Sequence, residues 1–126
     1  MKQEEFNAIC DVLEANEFVH ITDPEQQGGE WFVEMEYYSE AGEDVVFDAW
    51  YDGTMEDFIK AFIEYADAFN VDSHVELWMD ARGTNGVPNT LSDLLEDAKS
   101  IKKHLMHTAD RLKTLLNSKE ETVCGS

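Results

Sequence analysis

Carboxylates are the groups with which this chain could do chemistry, and their spacing limits what that chemistry could be. Glu34 and Glu36 lie two residues apart in a run of alternating character, and Asp48 falls at the matching phase of the next run. Alternation places all three on one face of a hairpin. Paired carboxylates can serve acid–base catalysis, which also wants a concave pocket and unlike surroundings for the two acids. An exposed strand pair supplies neither. The chain has no GxSxG, no Cys–His nucleophile signature and no HExxH, so no catalytic residue and no enzymatic activity are expected. His104 and His107 share a helical face and could chelate a metal. Lysines flank them and no acid or cysteine lies at i+4 from either, so an exposed, solvated pair is expected, with no metal and no other cofactor. His20 and His74 stand alone in sequence and are assigned no site. The stretch 83–86 (GTNG) lacks the lysine and the glycine spacing of a phosphate loop. No calcium loop is present either.

The elements that must hold these residues are legible from periodicity. Trp31, Val33, Met35 and Tyr37 alternate with Phe32, Glu34, Glu36 and Tyr38, and Val45, Phe47 and Ala49 alternate with Val46, Asp48 and Trp50. A break at residues 39–43, containing Gly42, joins the two runs as an antiparallel hairpin. After Asp52-Gly53, Thr54 is placed to cap a helix with Asp57 three residues on. Phe58, Ile59, Phe62, Ile63, Ala66 and Phe69 form its apolar stripe, which the hairpin's apolar face can bury. Before the hairpin come an amphipathic helix over 2–16 (Phe6, Ile9, Cys10, Leu13), a strand over 17–23 and a polar loop over 25–29. After it, Ser73 and Glu76 predict a capped short helix to about Arg82, and residues 83–89 a loop. Thr90 and Asp93 cap a final helix whose apolar positions run from Leu91 to Leu116 in steps of three and four. From 91 to 117 that helix would be about 40 Å long, more than a small domain spans. Part of its seam (Leu94, Ile101, Leu105, Leu112) is therefore expected to pack on another chain, as in a homodimer.

The expected architecture is α+β, in the order α-β-β-β-α-α-α, with a three-stranded antiparallel sheet packed by helices. Residues 1–117 form one domain, 1–82 its core and 90–117 the long helix, and 118–126 a disordered tail. Length and a 43% hydrophobic content suit one folded core. Two cysteines are too few for a disulfide framework, and Cys10 lies on a helix's apolar stripe, as a reduced thiol would. No run approaches the length of a membrane span, and the N-terminus lacks an apolar signal core, so a soluble cytoplasmic protein of a bacterial cell is expected, without a membrane partner.

The formal net charge is -19, and its distribution is informative. Residues 1–90 hold 22 acidic residues against Lys2, Lys60 and Arg82, while residues 91–126 are balanced. Such a surface repels nucleic acid and favours basic partners, so direct nucleic-acid binding is not expected. Two readings of it stand. One is a solvated, solubilising surface. The other lays out carboxylates as substitute phosphates: alternate strand residues are about 6.6 Å apart, comparable with the phosphate spacing along one DNA strand. Glu34, Glu36, Glu40, Glu43, Asp44 and Asp48 form such an array, continued by Asp52, Glu56, Asp57, Glu64, Asp67 and Asp72. Trp50, Tyr38 and Tyr65 would serve as aromatic anchors of a protein interface.

This order of elements, with acids crowding the strand turns and helix starts over residues 2–82, resembles the small acidic anti-CRISPR proteins of phages and mobile elements. It is most similar to the type II-A inhibitors that occupy the PAM-reading cleft of Cas9. The polar turn 39–44 and the strand–Asp-Gly-Thr–helix join at 51–55 belong to that likeness. It implies inhibition of a basic nucleic-acid-binding nuclease by DNA mimicry, with Glu40, Glu43, Asp44 and Asp72 meeting the arginines and lysines that read PAM DNA. The segment from Gly83 onward has no counterpart in those inhibitors. The rival readings are an oligomeric scaffold or accessory protein held by the long-helix seam, and an immunity-type partner of a basic toxin.

Overall fold

The structure is a computed structural model that describes residues 1–84 and 87–125, with side chains as far as Ser118. Helix α1 (Gln3–Ala15) leads into strands β1 (Phe18–Val19), β2 (Glu25–Gln27), β3 (Glu30–Tyr38) and β4 (Asp44–Tyr51). Helices α2 (Met55–Ala68) and α3 (Val71–Trp78) follow, then a 3-10 turn (Met79–Ala81) and α4 (Leu91–Gly125). The class is α+β, and the sheet is antiparallel throughout.

The sheet has four strands rather than three. β3 is its centre: β4 pairs along nearly its whole length, from Trp31↔Tyr51 to Tyr38↔Asp44. The two short strands share the other edge, β1 at Glu36–Tyr37 and β2 at Glu30–Phe32. The expected strand over 17–23 is cut to two residues because Glu17 and His20 both take positive φ, which ends a strand on each side. The expected polar loop over 25–29 is instead β2 plus a tight turn. Gly28 and Gly29 both have positive φ, as the favoured two-residue hairpin turn requires, and Gln27 pairs with Glu30 across them. Between β1 and β2 the edge is held at Thr22, whose N–H donates to the Glu34 carbonyl and whose hydroxyl accepts from the Glu34 N–H.

The β3–β4 alternation falls as the sequence predicts. Val33, Met35, Tyr37, Val45, Phe47, Ala49 and Tyr51 are buried beneath the sheet, with Phe58, Ile59 and Phe62 of α2 and Phe6, Ile9 and Leu13 of α1 in the same core. Thr54 caps α2, its hydroxyl accepting from the Asp57 N–H at 3.0 Å. Gly53, just before that cap, takes φ +98, and a Cβ there would lie 2.6 Å from Nε1 of Trp31. Gly53→Ala is therefore expected to destabilise the protein by about 2 kcal/mol, measurable as a lowered urea midpoint. α3 starts earlier than expected: Asn70, not Ser73, is its N-cap, accepting from the Ser73 N–H at 2.9 Å.

α4 resolves its own length problem inside the chain. Its first half covers α3 in a small cluster of Val75, Val87, Leu94 and Ala98. Its second half inserts Ile101, Leu105, Ala109 and Leu112 into the main core, against α1 and α2. Lys102 reaches from it to the end of α2, donating to the carbonyls of Ala66 and Asp67, where a cation complements the helix dipole. The seam residues Leu94, Ile101, Leu105 and Leu112 are each fully buried within their own chain, which corrects their expected role in self-association. α4 also runs past the expected end at Asn117. Of the tail expected to be disordered, the side chains beyond Ser118, and all of Ser126, lie outside the described residues, as do Asn85 and Gly86 of the predicted loop.

Candidate functional site

The helices pack beneath the sheet, and among the described residues none covers its other face, where Tyr38, Asp44, Val46, Asp48 and Trp50 are exposed and Phe32, Glu34 and Glu36 half-buried. Strand register decides what stands there. The Ser39 N–H donates to the Glu43 carbonyl at 2.9 Å, which makes that pair, and by alternation the pairs Tyr37–Val45, Met35–Phe47 and Val33–Ala49, the hydrogen-bonded ones. Phe32–Trp50, Glu34–Asp48, Glu36–Val46 and Tyr38–Asp44 are then the closer, non-hydrogen-bonded pairs, with Cα atoms about 4.5 Å apart and side chains on the open face. The Thr22 bonds to Glu34 agree, since they need Glu34's backbone to point away from β4.

That face brings together four of the predicted carboxylates, Glu34, Glu36, Asp44 and Asp48. It adds two that the sequence reading passed over: Glu25 stands opposite Phe32, and Glu30 shares the phase of Glu34. Glu34 and Asp48 face one another directly. Sharing a hydrogen bond with Asp48, together with its charge, raises the Glu34 carboxyl above its usual range. Glu36 is held below it by His20, 3.0 Å away, and by the Tyr38 hydroxyl, which donates to it at 3.0 Å. Between Lys2 and Lys60 the chain has neither lysine nor arginine, so the strands bring no permanent cation to the face. Apolar groups are interleaved with the acids. Val19, Tyr38, Val46 and Trp50 are 37%, 45%, 47% and 48% exposed, and Phe32 packs on Trp50 at a ring distance of 4.7 Å. Tyr65, expected as a third anchor, instead packs beneath the sheet on the ring of Phe47.

The remaining predicted acids lie elsewhere. Asp52 and Asp57 are occupied in the start of α2, Asp52 accepting from the Thr54 N–H and hydroxyl and Asp57 from the Asp52 N–H. Glu56 pairs with Lys60 at 3.0 Å. Glu40 is exposed in the hairpin loop, Asp72 in the first turn of α3, and Glu64 and Asp67 on α2.

Glu43 is the clear exception, being 1% exposed. Its Oε1 lies 2.7 Å from Nε2 of His74, off the line of a hydrogen bond, and Asp97 of α4 closes the cluster. Both Glu43 oxygens, Nε2 of His74 and Oδ2 of Asp97 lack an aligned partner among the described residues. Burial, then the neighbouring Asp97, pushes the Glu43 carboxyl up to about 7, while burial lowers His74. The sequence reading missed this cluster because its members are far apart in the chain and only packing joins them.

His104 is likewise not the solvated residue expected. Its ring stacks on Tyr37 at 4.1 Å, and its Nε2 lies 2.6 Å from the Asn16 carbonyl, while His107 is exposed. Among the described residues no three His, Cys, Asp or Glu side chains are placed to share a metal ion. Burial pushes the Cys10 thiol up to about 11, so it is protonated at neutral pH. Among the described residues, no helix is long and apolar enough to cross a membrane.

No protein-family model, no curated protein and no solved structure matches this chain.

Proposed function

We propose that the protein is a non-enzymatic inhibitor that sets its open, acidic sheet face into the basic nucleic-acid cleft of a nuclease. The observation that carries this reading is the composition of that face: six carboxylates interleaved with exposed Trp50, Tyr38, Val46 and Val19, on a sheet whose other side, among the described residues, is the one the helices cover. A merely solubilising surface needs scattered charge of both signs and few exposed aromatics. This face has one sign, with an exposed aromatic at each end of the acid row, Trp50 beside Phe32 and Tyr38 beside Asp44, the arrangement of an interface with anchors and a steering charge. The directly opposed Glu34 and Asp48 also disfavour the free protein slightly, since like charges across a strand pair repel. A partner's arginine between them would remove that repulsion. The likeness of the acid pattern to type II-A anti-CRISPR proteins makes a guide-loaded Cas9-type effector the first target to test.

The test is competition for DNA. Labelled PAM-containing duplex held by the effector is expected to be displaced by the protein at about 50 mM salt and much less at about 200 mM, because exposed charge is screened within about 8 Å near physiological ionic strength. A variant carrying Glu34→Lys, Glu36→Lys, Asp44→Lys and Asp48→Lys, all on the open face, should keep its circular dichroism and compete at least about tenfold less well. If this variant competes as well as the parent, or the parent never displaces DNA, the reading fails.

A further inference from the structure

We propose that the free edge of β4 is the docking line of this face, and that a basic, extended segment of the partner protein adds to it as a further antiparallel strand. The inference rests on the reading above that the partner is a basic protein, and it specifies how that partner is held.

The register leaves the edge open. Val45, Phe47 and Ala49 point their backbone groups at β3, so Asp44, Val46, Asp48 and Trp50 point theirs away from it. Among the described residues β3 is the one strand paired with β4. The outward N–H of Asp52, the next in phase, is taken by Asp57 at 2.8 Å, so the open stretch ends at Trp50. It spans about 20 Å.

Proteins ordinarily guard such an edge with lysine, proline, a bulge or a short strand. The opposite edge of this sheet is guarded in that way, broken into β1 and β2 around His20 at φ 52 and Pro24. β4 has no lysine, no proline and no bulge, and it is eight residues long in unbroken register with β3; the charges it does carry, Asp44 and Asp48, guard it against a second copy but not against a basic strand. The residues whose backbone is free are also those whose side chains stand on the open face, two of them Asp44 and Asp48 and two of them the exposed Val46 and Trp50. An incoming strand would therefore meet alternate carboxylates and apolar groups along its ladder. Lysine or arginine at alternate positions, on the open face, complements that row. A second copy of this chain does not. Two β4 strands paired face to face would bring Asp44 and Asp48 of both copies together without a cation, on chains of net charge -19 each.

The probe is a short synthetic peptide alternating lysine with threonine. Titrated into the isotope-labelled protein, it is expected to slow hydrogen exchange at the Val46, Asp48 and Trp50 amides and to leave Val45 and Phe47, already bonded to β3, unchanged. Val46→Pro removes one outward N–H without touching the β3 ladder and is expected to weaken binding about tenfold or more. Should that variant not fold, the peptide can carry the change instead. N-methylation at its lysines, which stand opposite the outward-pointing β4 residues in an antiparallel pair, should abolish binding, and N-methylation at its threonines should not. Salt-sensitive binding that leaves those amides fast and tolerates N-methyl lysines overturns strand addition but keeps the acidic docking face. Absence of binding at low salt overturns both. Protection of the same amides without peptide, growing with protein concentration, would place a second copy on the edge and overturn the partner proposed.

Discussion

Leu105→Asp is expected to leave no folded protein at room temperature, seen as loss of the cooperative urea transition and of near-ultraviolet dichroism. Leu105 is fully buried in the main core, among residues of α1, α2 and β3. A carboxylate there has no partner, and an unpaired buried charge costs several kcal/mol, a large share of the total stability of a small domain. The milder Leu105→Ala should lose about 3 kcal/mol, the usual cost of a cavity of that size. The pair of variants separates two accounts of the long helix. Were its seam an interface between copies, Leu105→Asp would yield a folded monomer from a folded dimer on a sizing column. The buried seam predicts unfolding instead, with Leu105→Ala still folded and its oligomeric state unchanged.

Glu43→Gln is expected to stabilise the protein at pH 8 and to do nothing near pH 4.5. The buried carboxyl is pushed up to about 7 from an ordinary 4.5, so between those values the folded protein keeps a proton that the unfolded chain has released. Its contribution is therefore present in full below the unfolded value and is lost as pH rises through the folded one. The loss is on the order of 3 kcal/mol once Glu43 is ionised beside Asp97. Glutamine mimics the protonated acid in size and in its donor, and escapes that loss. His74 contributes a slope of opposite sign below its ordinary 6.5, because burial disfavours its charged form, and the two causes of its shift, burial and Asp97, are both kept in the variant. Urea midpoints of the two proteins followed from pH 4.5 to 8 should coincide at the acid end, separate up to about pH 7 and then run parallel. Curves parallel over the whole range would mean that Glu43 ionises as a surface acid does.

Local chemistry carried much of this fold into the sequence. The period-2 runs of β3 and β4 place their apolar residues inward because successive strand side chains point to opposite faces, whatever the surroundings. The stripe on α2 and the caps at Thr54 and Thr90 are decided within one turn of helix, and both threonine hydroxyls accept the expected N–H. The common face of Glu34, Glu36 and Asp48 needed only alternation and a hairpin. Gly28-Gly29 is a two-residue turn signal that the expected polar loop over 25–29 passed over. The Glu-Gln-Gln before it resembled a loop because its residues are poor strand formers, and it pairs because the edge of β3 supplies the partner groups.

What tertiary structure alone decided were the destinations of groups whose partners are distant in the chain. A heptad-like seam is equally suited to a second copy or to the helices of its own chain. Leu94 to Leu112 are covered internally because α1, α2 and α3 present enough apolar surface along the length of α4 to bury them. A carboxylate at a turn is normally solvated. Glu43 is not, because the β3–β4 loop is pressed between α3 and α4, where His74 and Asp97 meet it. The open face and the unpaired β4 edge have the same origin: the helices find their apolar partners on one side of the sheet or on one another, and among the described residues none covers the other side.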